Sequence, residues 1–292
     1  MSIGRYFKKR AIACVLSRSS VAEPGLTLPE YDQPPVFETV LGVQFSVARE
    51  FPTRLFGAHW ERIKSRFPHI EIQPPIAPAF EELELPLAPP RFGLQFVAEP
   101  QFRCWFIGSS ETKLLQVQRD RFLHNWRKVK EEDVYPHYHQ IKPKFEEEWI
   151  GFRAFLSQEG FEKPEVNQCE ITYVNHIEIG DDWKGLGELN KAIACWSGIY
   201  SGDFLEQPET LSLNVSYVMP GKKGRLHIAA QPAIRRQDAK EVLQLTLTAR
   251  GKPASSHLED ISGWLDLGHE WIVRGFTDFT TEKMHELWGR KL

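Results

Sequence analysis

Cysteine is scarce in this chain. Its four cysteines are Cys14, Cys104, Cys169 and Cys195, and no two of them form a C-x-x-C pair. A zinc knuckle or a thioredoxin-type centre therefore has no local signature. Dispersed thiols of this kind fit a reduced, cytoplasmic protein. Long apolar runs are missing too, and nothing approaches the roughly 18 residues needed to span a bilayer. The stretch Ala11 to Leu16 follows Lys8, Lys9 and Arg10 but is ended by Ser17 and Arg18, short of a secretory core. Excess charge is absent as well. A net charge of −3 supplies no field that would draw nucleic acid or an anionic membrane.

Catalytic signatures are equally sparse. The chain has no G-x-S-x-G, no Walker loop and no H-E-x-x-H. Gly185-Leu186-Gly187 lacks the third glycine of a dinucleotide loop. No cofactor is expected. An enzyme is not excluded, because carboxylate and histidine sites need no contiguous motif.

What is present is a chain able to build a thick core. Hydrophobic residues make up 41%, with nine tryptophans and 19 phenylalanines, so 292 residues suffice for one large unit or two intimate halves. Residues 1–33 read as a polar, disordered leader. Val36 to Val47 alternates, with Phe37, Leu41, Val43, Phe45 and Val47 on one face and Glu38, Gln44 and Ser46 on the other, which predicts a half-buried strand. Leu55, Phe56, Trp60, Ile63 and Phe67 recur at helical spacing. Pro68 to Pro90 is proline-dense and reads as an extended crossover without a ladder of its own. Strands are expected at Phe92–Ala98, Arg103–Ser109 and Lys113 to about Phe122. A long helix follows from Tyr138 to Gln158, stopped by Gly160.

The same order then recurs. Val166–Ile179 reads as a strand and Leu186–Trp196 as a short helix. Strands at Leu211–Val218, Arg225–Ala230 and Glu241–Arg250 precede a mostly helical stretch from Leu258 to Trp288. A break is expected near Thr277-Asp278, with Thr280 or Thr281 capping a final helix. Leu115-Gln116-Val117 matches Leu243-Gln244-Leu245, and Trp149-Ile150 matches Trp271-Ile272. The expected fold is α+β, a tandem duplication of a strand–helix–three-strand–long-helix unit over 34–160 and 161–292. Two such units side by side would make one curved antiparallel sheet with both long helices on one face. This architecture resembles the helix-grip group, which includes the saddle of the TATA-box-binding protein.

Three segments have a more specific likeness. They are Pro34 to Phe45 (PPVFETVLGVQF), Leu114 to Val129 (LLQVQRDRFLHNWRKV) with Tyr135-Pro136-His137-Tyr138 after it, and Gly268 to Arg290 (GHEWIVRGFTDFTTEKMHELWGR). As a set they resemble a sporadically distributed prokaryotic family of unknown function, over residue 34 to the end. The resemblance implies no activity, cofactor or catalytic residue. Its patchy distribution implies an accessory gene, of the kind found in defence or toxin–antitoxin operons. A protein partner encoded nearby is expected.

The sharpest local anomaly follows from aligning Leu115 with Leu243. Arg119 and Arg121 then take the inward register held by Leu247 and Ala249. Buried guanidinium groups need partners. Either internal carboxylates such as Asp120 pair with them, or a bulge reverses the register, or they line an anion pocket with Gln118, Asn125 and Trp126 on its rim. Basic residues near Arg127, Lys222 and Arg235 interleave with aromatics, a weak nucleic-acid signal that Glu131-Glu132-Asp133 dilutes. His137 and His139 are half of a zinc site and Asp133 offers a third ligand, but no metal is expected. His269, Glu270 and Arg274 on the last long helix, with His285 and Glu286 beyond, read as a polar outer stripe opposite Trp264 and Trp271. Asn175 falls on an inward register and reads as a hydrogen-bonded core amide. Together these features favour a non-enzymatic binding protein that holds a protein partner or a small ligand. The alternatives are a sensor or enzyme for an anionic small molecule at Arg119 and Arg121, and nucleic-acid binding.

Overall fold

The computed structural model describes residues 27–47, 51–83, 101–196, 204 and 208–291. The expected strand at Phe92–Ala98 lies outside the described residues. Among the described residues, eleven strands and four α-helices are formed. In chain order they are β1 (Glu30–Tyr31), β2 (Val36–Ser46), α1 (Arg54–Ile63), β3 (His69–Gln73), β4 (Arg103–Ile107), β5 (Lys113–Gln118), β6 (Arg121–Arg127), α2 (Tyr138–Gln158), β7 (Glu165–Glu178), β8 (Leu213–Val218), β9 (Arg225–Ile234), β10 (Glu241–Gly251), α3 (Leu258–Phe279), α4 (Glu282–Leu287) and β11 (Arg290–Lys291). A 3₁₀ turn at Leu186–Lys191 stands where a short helix is expected.

Nine strands form one sheet in the order β3-β4-β5-β6-β2-β7-β10-β9-β8. Every pairing in it is antiparallel. At its centre β2 runs against β7, with Leu41 opposite Ile171 and Val43 opposite Cys169. Directly paired residues share a face, so Leu41, Val43 and Phe45 lie on the same side as Cys169, Ile171 and Tyr173. On that side Phe45 packs on Trp149 and Phe152 of α2, while Tyr173 packs on His269 of α3. Both long helices therefore cover one face, and the core lies between them and the sheet.

The helices form where the apolar spacing predicts. In α2, Ile141, Phe145, Trp149, Phe152 and Leu156 are all buried. The helix ends in a Schellman arrangement, with Phe161 N–H donating to the Leu156 carbonyl and Gly160 N–H to that of Ser157. Gly160 has a φ of 75°, a region an L-residue enters only at a cost. Phe152 is the hub of an aromatic cluster that includes Phe45, Phe51, Phe122, Trp149 and Phe155. The break after α3 falls at Thr280, two residues later than expected, and Thr281 caps α4 by accepting from Met284 N–H.

Four expectations are corrected. Order begins before Pro34, because β1 pairs with β11 and the buried Tyr31 hydroxyl meets Thr277 Oγ1 at 2.8 Å. Residues 69–73 do make a ladder, as edge strand β3 against β4. Phe37 leaves the core face, since a register shift between Val36 and Glu38 makes it the extra residue of a bulge, and its ring stacks on His176. The expected strand from Lys113 to Phe122 is two strands. Gln118 pairs with Arg121, so Arg119 and Asp120 form a tight hairpin turn. β6, not β5, lies beside β2 as β10 lies beside β7. The alignment of Leu115 with Leu243 is therefore not a structural correspondence, and the shared inward register of Arg119 and Arg121 disappears.

Candidate functional site

A large cavity, about 1010 Å³, lies between the start of α2, the middle of α3, strand β7 and the segment before β2. Local chemistry explains how each element reaches it. His137 sits at φ 60°, in the left-handed region, and turns the chain sharply into α2. Tyr135 and Tyr138 on either side of that turn both face the cavity. Strand alternation aims Tyr173 and Asn175 of β7 inward. Helical spacing aims His269, Ile272, Val273 and Phe276 of α3 at the same space. The clamp of β1 on β11 closes one end, with Tyr31 packed edge-on against Phe276 at 5.6 Å.

The polar floor is a short chain of neutral groups. Tyr135 and Tyr173 hydroxyls are 2.7 Å apart, and Tyr173 Oη is 3.1 Å from His269 Nδ1. Tyr138 stacks on the His269 ring at 3.9 Å between centroids, with 10° between planes. Burial drives the His269 pKa down to about 4, outweighing the pull of Asp266. Burial also pushes the Tyr135 and Tyr173 hydroxyls well above their ordinary value. At neutral pH none of these three groups carries charge. Tyr138 donates to Asp266 at 2.9 Å, and Lys142 neutralises that carboxylate at 2.7 Å. Glu270 and Arg274 pair with each other at 2.8 Å. The remaining wall is largely apolar, from Val36, Leu267, Ile272, Val273 and Phe276.

The sequence-predicted residues fall elsewhere. Arg121 is buried on the opposite sheet face, where its Nη2 donates to Gln44 Oε1 and the Ala77 carbonyl. Gln118 holds the backbone of Ile76 from both sides, donating to its carbonyl and accepting from its N–H. Arg119 is in the hairpin turn. Asn125 joins a separate polar network on that face, with Gln116 and Glu38. Trp126 faces the helix side, its ring 5.5 Å from Tyr135. The five do not converge.

The second-rank candidates converge instead. His137, His139, Asn175, His269, Glu270 and Arg274 all line the large cavity. His269 is thus not on an outer polar stripe. Asn175 is the hydrogen-bonded amide expected, donating to the Leu245 carbonyl at 3.1 Å. Asp133 is turned away from the two histidines, accepting from Val129 and Lys130 N–H. Among the described residues no three His, Cys, Asp or Glu side chains gather as a metal site would require. His285 is buried against Thr280 and Arg290, while Glu286 is exposed. The basic segments are dispersed, since Arg225 binds Glu81 and Arg235 binds Glu178 and Asp238.

Sequence reasoning missed Tyr135, Tyr138 and Tyr173 as functional groups. The one available signal was Tyr173 beside Asn175 on successive inward positions of a single strand. No family model, curated protein or solved structure matches this chain.

Proposed function

We propose that this chain is a non-enzymatic binding protein that holds a small, mostly apolar ligand with a neutral polar end. One observation carries the reading: a cavity of drug-like size with an apolar wall from Val36, Leu267, Ile272, Val273 and Phe276, paired charges at its edge, and the uncharged Tyr135–Tyr173–His269 chain at its floor. A neutral hydrogen-bonding floor selects a hydroxyl, carbonyl or amide over an ion, because an ion there would lie desolvated without a counter-charge. We read the scaffold as a duplicated helix-grip module. Its support is the mirrored strand order about β2 and β7, each followed by a meander and a long helix. The free thiols of Cys104, Cys169 and Cys195 support a cytoplasmic setting. A protein partner, in the accessory or defence-type setting implied by the family resemblance, is the second reading. Edge strand β3 supports it, with Ile72 70% exposed.

N-phenyl-1-naphthylamine, a neutral apolar fluorophore, tests the first reading. Titrated into the full chain at pH 7, it gives saturable fluorescence enhancement. Val273→Trp places an indole in the cavity from a half-buried position and abolishes the enhancement at unchanged melting temperature. Enhancement that survives this substitution contradicts the assignment.

A further inference from the structure

A second concavity, of about 540 Å³, lies on the sheet face turned away from α2 and α3. Its floor is one directed chain of hydrogen bonds. Trp105 Nε1 donates to Gln116 Oε1 at 3.1 Å, Gln116 Nε2 to Asn125 Oδ1 at 2.9 Å, and Asn125 Nδ2 to Glu38 Oε1 at 2.6 Å. Each amide is fixed in orientation by the next acceptor, and the chain ends on a carboxylate. Strand alternation places these four side chains on one face of β4, β5, β6 and β2.

Cations frame the same groove. The Arg103 and Arg127 guanidinium carbons lie 5.6 and 5.7 Å from the centroid of the Trp105 ring. Arg127 Nε is committed to the Glu111 carbonyl, whereas the buried Arg103 Nε has no hydrogen-bond partner. Lys128 stands on the rim. Glu38 is held above its ordinary pKa, mainly by burial, against the opposing pull of Arg127 and Arg103.

We propose that this groove binds a nucleotide, with the N–H edge of a guanine-type base on Glu38 and the phosphate on Arg127 and Lys128. A carboxylate acceptor takes the N–H donors of a base edge. Guanidinium and ammonium groups take phosphate oxygens, and the Trp105–arginine platform offers a π-surface. A bare anion fits poorly, because Glu38 repels it. The ligand must carry donors at one end and negative charge at the other. The site lies across the sheet from the apolar cavity and does not depend on it.

Calorimetric titration of the full chain with guanosine monophosphate at low salt tests this. Saturable binding is expected, weakened about tenfold or more by Glu38→Gln and by Arg127→Gln, and unchanged by Val273→Trp. A five-nucleotide RNA with one guanosine separates the sources of the ligand. Tighter, steeply salt-dependent binding of the RNA identifies a single strand, and equal binding identifies the free nucleotide. Absence of saturable binding by both overturns the proposal. So does inorganic phosphate binding as well as the nucleotide, or a Glu38→Gln protein that binds unchanged. Should Glu38→Gln fail to fold, Arg127→Gln on the half-exposed rim carries the same test.

Discussion

Glu81→Ala is expected to cost about 3–5 kcal/mol, the loss typical of removing one partner from a buried ion pair. The segment from Ile76 to Glu82 crosses the polar face of the sheet as a strap. Gln118 and Arg121 hold its first half, and Gln44 accepts from Ala79 N–H at 2.9 Å. The second half is held by charge. Glu81 Oε2 meets Arg225 at 2.7 Å, while its Oε1 meets His227 at 2.7 Å and Arg250 at 3.3 Å. The Glu81 and Arg225 side chains are only 5% and 6% exposed. Without the carboxylate, Arg225 is a buried cation with no counter-charge among the described residues, whereas Arg250 keeps Glu170 at 2.6 Å. Thermal melting should fall by roughly 10 °C. Glu188→Ala, at the half-exposed i,i+3 pair with Lys191, should leave the melting temperature where it was. Equal effects of the two substitutions would remove the strap from the account. Burial raises the Glu81 pKa, but His227, Arg250 and Arg225 together pull it below the ordinary value. The unfolded carboxyl protonates first as pH falls. The strap's contribution is therefore complete above about pH 4.5 and lost as pH drops through the lower folded value.

Acid is expected to unfold this protein earlier than its carboxylates alone would require. His59 lies among Phe106, Phe152 and Phe155, and neither of its ring nitrogens has a partner. Burial, with Arg62 and Arg66 adding to it, takes its pKa down to about 3. His124 falls to about 4 by burial, with Lys113 and Lys144 nearby. Both folded values are below the ordinary 6.5, so from there down to about pH 4 the unfolded state binds protons that the folded state refuses. Stability falls with pH over that window, by up to about 1.4 kcal/mol per pH unit for each histidine. His269, at about 4, is a third such group. Three over two units remove about 8 kcal/mol, a large part of a whole domain's stability. Glu38 and Glu148 oppose this, because burial raises their folded pKa values and protonation then favours the fold. Urea midpoints measured from pH 7 to 4.5 give the slope. His59→Leu fills a similar apolar space and should flatten that slope by about one proton while stabilising the protein at pH 5. An unchanged slope would mean that His59 is protonated in the folded state.

Much of the scaffold was readable because its signals are local and repeated. The stripe from Ile141 to Leu156 and the alternation along Cys169, Ile171 and Tyr173 need only side-chain periodicity. What failed needed information from elsewhere in the chain. The β5–β6 hairpin turns on Arg119-Asp120, where Asp120 is a turn former but no glycine, asparagine or proline accompanies it, so two strands read as one. Matched dipeptides also misled. Trp149 is buried and Ile150 exposed, while Ile272 is buried and Trp271 half-exposed, so identity was preserved and orientation was not. The strap looked like a linker because Glu81 acquires its partners more than 140 residues downstream. The cavity floor draws Tyr135, Tyr173 and His269 from a loop, a strand and a helix, and no spacing rule relates them.

The central claim is that the space under α2 and α3 is where a ligand sits. Amide and methyl shift mapping of the isotopically labelled chain, with N-phenyl-1-naphthylamine added, tests it most directly. The account predicts perturbations concentrated at Tyr135, Tyr173, His269, Ile272 and Val273, with the edge strands β3 and β8 silent. Shifts confined to Ile70, Ile72, Tyr217 and Val218 at those edges would contradict it.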